Sequence, residues 1–193
     1  MGVFTFIVNT TSITEKTLRN ILRKAMPNRF RQYSTNDFPN LKGCGIVLCR
    51  GTVFLRPFTK YTHVALFYYG KIYESTDGVG VHCTSVDQFL SEYLHIYNTI
   101  DVYRFERDID IYRLKIYFNY LNGKPYEQNG IEFVKAGLHL NHVEDDTSFF
   151  CSEFVVRILQ HLGLVSETIL ANNYRPGDIP HIELIGNRLI KVS

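Results

Sequence analysis

The stretch Ser148-Phe149-Phe150-Cys151-Ser152-Glu153-Phe154-Val155 has the pattern of the first turn of a helix that carries a cysteine. We expect Thr147 and Ser148 to cap this helix, because hydroxyl groups accept hydrogen bonds from N–H groups that lack partners at a helix start. Apolar residues then recur at helical spacing, and the helix should end near Leu162-Gly163. The residues that stack on one face are Cys151, Val155, Ile158 and Leu162.

Cys151 has two interpretations. The start of a helix carries partial positive charge, which favours a thiolate, and a neighbouring imidazolium would favour it further. A reactive thiol is therefore one interpretation. The other is a small apolar residue that fills the core, which is the commoner role of a buried cysteine.

The composition excludes several classes of protein. The chain has 193 residues, 45% of them hydrophobic and 21% charged, which predicts one main domain with a packed core. A formal net charge of +2, without a nucleic-acid motif, argues against nucleic-acid binding. No apolar run approaches the roughly 18 residues of a membrane span. The cysteines lie far apart without a Cys-x-x-Cys pair, so we expect free thiols in a reducing, intracellular compartment: Cys44, Cys49, Cys83 and Cys151.

Residues 1–40 differ from the rest of the chain. Ser12 and Glu15 form a capping box, so a helix should run from there to about Ala25. Basic residues over positions 16–31 make one face of this segment positive. That face would suit a membrane surface or an acidic partner, although a solvated face is the commoner outcome. A polar loop over 32–42 then separates residues 1–40, an extension, from a main domain at 41–193.

The main domain alternates predicted strands with a few helices. A hairpin should form from His63–Tyr69 and Ile72–Ser75 around a turn at Gly70-Lys71. A short helix follows Ser85, and a longer one runs over Asp110–Leu121. The pattern predicts an α+β fold with an antiparallel sheet. The other predicted strands are Gly45–Leu48, Thr52–Leu55, Val79–Cys83, Thr99–Phe105 and a late pair around Asn187.

His63 and Glu74 are the candidates for a base and for the group that orients it. Because side chains alternate along a strand, both point to the same inward side of the hairpin. A buried carboxylate is costly unless it is paired. A satisfied core histidine is the simpler interpretation of His63 alone. A strict turn at Gly70-Lys71 pairs Phe67 with Glu74, which leaves His63 four residues away. At about 3.3 Å per residue that distance is too long for contact without a bulge or a looser turn.

Several motifs together resemble the circularly permuted branch of the NlpC peptidase superfamily, which includes YiiX-like and lecithin-retinol-acyltransferase-like groups and a poxvirus member. These motifs, in this order, are Thr62-His63-Val64-Ala65-Leu66-Phe67-Tyr68-Tyr69-Gly70, Tyr73-Glu74-Ser75, Gly78-Val79-Gly80-Val81, Pro125-Tyr126, Phe150-Cys151-Ser152-Glu153-Phe154-Val155 and Arg175-Pro176-Gly177-Asp178. The resemblance covers about 43–180. It implies a permuted papain-like fold with the histidine strand first and the cysteine helix late.

The resemblance also implies a chemistry. Cys151 would be the nucleophile, His63 the base and Glu74 its orienting partner, with Tyr126 bordering the site. Such enzymes transfer or hydrolyse acyl groups of peptides, isopeptides or lipids, and they need no metal or cofactor. The likeness to a poxvirus member implies the host cytoplasm or the virion of a large DNA virus.

Two other functions stay open from the sequence. One is a papain-like scaffold without catalysis that serves as a binding or viral structural protein. The other is a peripheral membrane protein that uses the basic segment at 16–31. For a metal site, the spacing of the cysteines with His82, His139, His142 and His161 matches no ligand pattern.

Overall fold

The computed structural model describes residues 41–50, 60–93, 100–127 and 147–192. Several predictions fall outside these residues. They are the extension at 1–40 with its basic segment at 16–31, the strand at Thr52–Leu55, and the positions of His139 and His142. The boundary between the extension at 1–40 and the main domain at 41–193 stays a prediction.

The described residues form strands, helices and short 3₁₀ turns in the following order. They are β1 (Cys44–Arg50), β2 (Tyr61–Tyr68), β3 (Lys71–Thr76), β4 (Gly80–Ser85), α1 (Val86–Tyr93), β5 (Ile100–Phe105), α2 (Ile111–Leu121), α3 (Cys151–His161), 3₁₀ turns at Ala171–Asn173 and Pro176–His181, and β6 (Leu189–Lys191). In this part of the chain no helix has the length and apolar character needed to cross a bilayer.

The six strands form one antiparallel sheet in the order β4-β3-β2-β1-β5-β6, so the α+β prediction is confirmed. The predicted late strand pair around Asn187 is wrong. One strand forms there, β6, and it pairs with β5. The amide of Asn187 instead bonds the backbone of Arg107, with Oδ1 accepting at 3.1 Å and Nδ2 donating at 3.0 Å.

Helices cover both faces of the sheet. Because side chains alternate along a strand, Val64 and Leu66 point to one face while Ala65 and Phe67 point to the other. The first face packs against α2, α3 and the C-terminal segment. The second face packs against α1 through Phe89, Leu90 and Tyr93. The predicted apolar face of α3 is buried, and so are polar residues beside it, among them Glu153 and Gln160.

The turn between β2 and β3 corrects the predicted register. The turn residues are Tyr69 and Gly70, with φ of 39° and 85°, and Tyr68 pairs with Lys71. Continuing this register places Glu74 opposite Ala65 rather than Phe67. Glu74 is then two residues from the position opposite His63 and on the same face, where long side chains on neighbouring strands reach each other. The distance problem raised by the sequence therefore disappears without a bulge.

The two strands of this hairpin separate beyond the turn. β2 and β3 pair over Leu66–Tyr68 and Lys71–Tyr73, whereas β3 stays paired with β4 as far as Thr76. The start of β2 and the end of β3 are therefore not joined by the backbone ladder. Their side chains face each other across this opening.

The segment after α2 docks on the edge of the sheet at β4. Val81 N–H donates to Lys124 O at 2.8 Å, and Gly123 N–H donates to Val81 O at 2.9 Å. Gly80 makes this approach possible, since a Cβ at this position would lie 2.2 Å from Lys124 O, and its φ is +79°. The docked segment continues to Tyr126, which bridges to Phe149 just before α3.

The start of α3 differs from the prediction. Phe150 occupies the N-cap and makes no side-chain capping bond, so the N-cap is neither of the two predicted hydroxyl residues, Thr147 and Ser148. The Ser148 hydroxyl donates to Glu127 Oε2 at 2.6 Å instead. This contact ties the approach to the helix to the segment that docks on β4.

We expect Gly80→Ala to destabilise the protein more than Gly78→Ala. Both glycines have φ of +79°, but a Cβ at Gly78 has nothing within 4 Å. The left-handed backbone alone costs about 1 kcal/mol, and overpacking against Lys124 adds about 1–3 kcal/mol. Chemical denaturation of the two variants measures the difference. Equal losses of unfolding free energy would show that the segment at Lys124 does not dock as described.

Candidate active site

His63 lies near the start of β2 and is buried, with 5% of its surface exposed. Its ring stacks on Tyr93 of α1, with centroids 5.1 Å apart and planes inclined by 10°. Phe89 lies at 6.5 Å on the same side. The strand thus fixes the backbone of His63, and α1 fixes the plane of its ring.

Glu74 lies on β3 and is 1% exposed. Its Oε2 accepts a hydrogen bond from His63 Nε2 at 2.7 Å. A carboxylate at this depth would be strongly unfavourable without such a partner. The two side chains meet across the opening where β2 and β3 have separated.

Cys151 is the first residue of α3 and is 4% exposed. It interacts with His63 through a hydrogen bond and through charge. Because Glu74 occupies Nε2 of the ring, Nδ1 is the nitrogen that remains for the sulfur. The structure therefore brings together Cys151, His63 and Glu74, which are far apart in the chain.

The electrostatics of this cluster favour a protonated imidazole. Burial alone lowers the pKa of His63, but the charge and hydrogen bond of Cys151 and the contact with Glu74 outweigh burial and raise the pKa to about 10. For Glu74, burial raises the pKa, and the hydrogen bonds and charges of His63 and His82 outweigh it, lowering the pKa to about 2. An imidazolium bonded to a carboxylate is the arrangement that these two shifts describe.

The residues before Cys151 are held by several backbone contacts. Ser75 Oγ, fully buried at the end of β3, donates to Phe149 O at 2.8 Å. Phe149 N–H donates to Pro125 O at 3.1 Å, and Phe149 is itself fully buried. These contacts fix the position of the first turn of α3 relative to β3, and so the position of the sulfur relative to Glu74.

Tyr126, which the resemblance placed at the border of the site, lies beside this segment. It forms the bridge to Phe149, and its ring meets Phe150 edge-on with centroids 6.0 Å apart. It is half-buried. Its placement next to the residues that precede Cys151 agrees with a bordering position, and its contact with a substrate stays a prediction.

The other cysteines have different surroundings. Burial raises the pKa of Cys44 to about 11, with Asp108 adding to the effect. Cys49 is fully buried in the core of the α1 face. Cys83 is exposed on β4, and partial loss of water around its sulfur raises its pKa.

His82 also belongs to the site, which the sequence did not predict. Its Nε2 lies 3.3 Å from Glu74 Oε1, on the oxygen that His63 does not use. The two residues are direct partners in the β3–β4 hairpin. A loop of three residues, Asp77-Gly78-Val79, sets that register.

Within 41–50, 60–93, 100–127 and 147–192, the acidic, histidine and cysteine side chains form no cluster of three or more that could hold a metal ion. Comparison with protein-family models and with curated protein sequences finds no match for this chain. The chemistry of the site therefore has to be argued from its own geometry.

We expect Glu74→Gln to destabilise the protein in a pH-dependent way. The lowered pKa of Glu74 gives stability that is present above 4.5 and is lost as the pH falls towards 2. The raised pKa of His63 gives stability that is full below 6.5 and is lost as the pH rises towards 10. The free energy of unfolding of the wild type should exceed that of the variant most between pH 4.5 and 6.5, by about 3 kcal/mol.

Urea denaturation of both proteins from about pH 2 to about pH 10 measures the difference. Glu167→Gln is the control, because Glu167 is an exposed carboxylate that follows α3 in the chain. A difference between the wild type and Glu74→Gln that does not vary with pH would show that the pair is not ionised.

Proposed function

We propose that the protein is a papain-like thiol enzyme that transfers or hydrolyses acyl groups through Cys151, His63 and Glu74. One observation carries the proposal. The His63 imidazole, buried and stacked on Tyr93, bonds a carboxylate with Nε2 and interacts with the Cys151 thiol on its other side. A nucleophile, a base and a group that orients the base are the parts that covalent acyl transfer requires.

The proposed reaction has two steps. The Cys151 sulfur attacks the carbonyl carbon of an amide or ester, and the resulting tetrahedral species collapses to a thioester as the C–N or C–O bond breaks. His63 gives its proton to the departing amine or alcohol. In the second step His63 takes a proton from water or another acceptor, which attacks the thioester and releases Cys151. Glu74 keeps the imidazole in the required orientation and stabilises its charged form.

The start of α3 supplies the remaining element. N–H groups in the first turn of a helix have no partner within the helix, and Phe150 provides no side-chain cap here. We assign the backbone N–H of Cys151 as a donor to the oxyanion of the tetrahedral species, because it lies next to the reacting sulfur and at the positive end of the helix.

The order of the site elements supports the relationship suggested by the sequence motifs. The histidine strand and the acidic strand precede the cysteine helix, and the antiparallel sheet packs against that helix. This order is the one that a circularly permuted NlpC-type fold requires. We infer membership of that superfamily from the motifs together with this order.

The substrate class follows from the same resemblance. We propose an amide or ester of a peptide, an isopeptide or a lipid, without a metal or cofactor. An intracellular setting, such as the host cytoplasm or the virion of a large DNA virus, is part of this proposal. A membrane surface bound through 16–31 is a separate proposal about residues outside those described.

We expect iodoacetamide to alkylate Cys151 about tenfold faster than Cys83 at about pH 6.5. An ordinary thiol is only about 1% ionised there, whereas a thiol paired with an imidazolium is largely ionised but intrinsically less nucleophilic. Peptide mapping by mass spectrometry after timed alkylation measures both rates. Cys151→Ala should remove the fast reaction, and Cys83→Ala is the matched control that should keep it.

His63→Ala should slow alkylation of Cys151 to the rate of Cys83. If Cys151 in the wild type reacts no faster than Cys83, the thiol is not activated. The protein would then be better described as a papain-like scaffold that binds or assembles without catalysis.

A further inference from the structure

Glu74 is contacted by a second histidine on the side away from His63. His82 Nε2 lies 3.3 Å from Oε1, whereas His63 Nε2 lies 2.7 Å from Oε2. The side chain of His82 is 24% exposed, compared with 1% for Glu74. His82 therefore stands between the buried carboxylate and the solvent.

Proton counting shows which form of His82 fits this position. Its Nδ1 lies 2.9 Å from Gly80 O, and a carbonyl oxygen can only accept, so Nδ1 carries a proton. A neutral ring would then turn the lone pair of Nε2 towards Oε1 of an ionised Glu74, which is repulsive. The alternative tautomer would turn the lone pair of Nδ1 towards Gly80 O. A ring protonated at both nitrogens avoids both repulsions, because Nδ1–H donates to Gly80 O and the positive charge lies beside Oε1.

The charges that face His82 also favour its protonated form. Glu74 faces it from β3, and Glu92 acts on it from α1. Burial lowers the pKa of His82, but the contacts with Glu74 and Gly80 and the charge of Glu92 outweigh burial and raise it. The contact at 3.3 Å is longer than the bond to His63, as expected for an ion pair rather than for a short hydrogen bond.

We propose that His82 is a positioning residue, whose imidazolium forms an ion pair with Oε1 of Glu74 and thereby keeps Oε2 on the imidazole of His63. A carboxylate held by one oxygen alone can still rotate about its last bond. A second contact on the other oxygen prevents this rotation. The role in reactivity rests on the proposed function, since it acts through His63 on Cys151. The ion pair rests on the geometry of Glu74 and His82 alone.

The first test measures the protonation of His82. Nitrogen-15 NMR of the imidazole rings gives the titration midpoint of His82 in the wild type, in Glu74→Gln and in Glu92→Gln. We expect a midpoint above 6.5 in the wild type, a lower midpoint in Glu74→Gln, and a smaller fall in Glu92→Gln. A wild-type midpoint at or below 6.5, or no fall in Glu74→Gln, would overturn the proposal.

The second test measures whether His82 positions Glu74 and His63. His82→Ala should slow alkylation of Cys151 about tenfold, because small displacements at a reacting group cost one to two orders of magnitude in rate. His82→Gln should restore most of the rate, because its side-chain amide can donate to Oε1. His161→Gln is the control, since that ring stacks on Tyr117 away from the site. A merely structural role of His82 would give equal losses in the alanine and glutamine variants, and this result would overturn the proposal.

A third readout separates this proposal from the proposed function. The proton on His63 Nε2 should give a hydrogen-bonded NMR signal in the wild type and in His82→Gln, and the signal should disappear in His82→Ala. This holds even if Cys151 turns out to be unreactive. If the signal persists in His82→Ala, with far-ultraviolet circular dichroism showing a folded protein, Glu74 does not need His82 and the proposal is wrong.

Discussion

Glu74 and His63 carry opposite charges in a part of the protein that is almost closed to water. At 1% and 5% exposure, either group alone would carry a large desolvation cost. Their contact at 2.7 Å offsets this cost only while both side chains keep their orientation. Arrangements that separate the pair are therefore strongly disfavoured. This constraint links the register of the sheet to the chemistry of the site.

Several contacts around the pair keep the two side chains in this orientation. The short ladder between β2 and β3 leaves an opening in which the two side chains meet. Tyr93 fixes the plane of the imidazole, and Ser75 holds the carbonyl of Phe149 just before the sulfur. The close approach at Gly80 secures the segment that also supports Phe149. The position of the thiol thus depends on contacts from three separate parts of the chain.

The sequence predicted the helices and strands better than the turns between them and the contacts between distant residues. The helical stripe that begins at Cys151 and the alternation around His63 are local patterns, and both are found in the structure. The turn was misplaced by one residue because Tyr69 has an unusual positive φ for a tyrosine. Distant contacts support it: its N–H donates to Gly43 O at 2.6 Å, and its hydroxyl donates to Asp108 at 2.8 Å. A local pattern cannot indicate such contacts. The same reason explains the missed role of Ser148, whose hydroxyl bonds Glu127, 21 positions earlier in the chain, instead of capping α3.

The central claim is that Cys151 acts as an acyl acceptor because His63 and Glu74 prepare it. Incubation with 4-nitrophenyl acetate, followed by mass spectrometry of the intact protein and of its peptides, tests this claim most directly. The account predicts an acetyl thioester on Cys151 in the wild type and in Cys83→Ala, and little or none in His63→Ala. An acetyl group that appears on Cys83 as readily as on Cys151, or on Cys151 equally in the wild type and in His63→Ala, would contradict it.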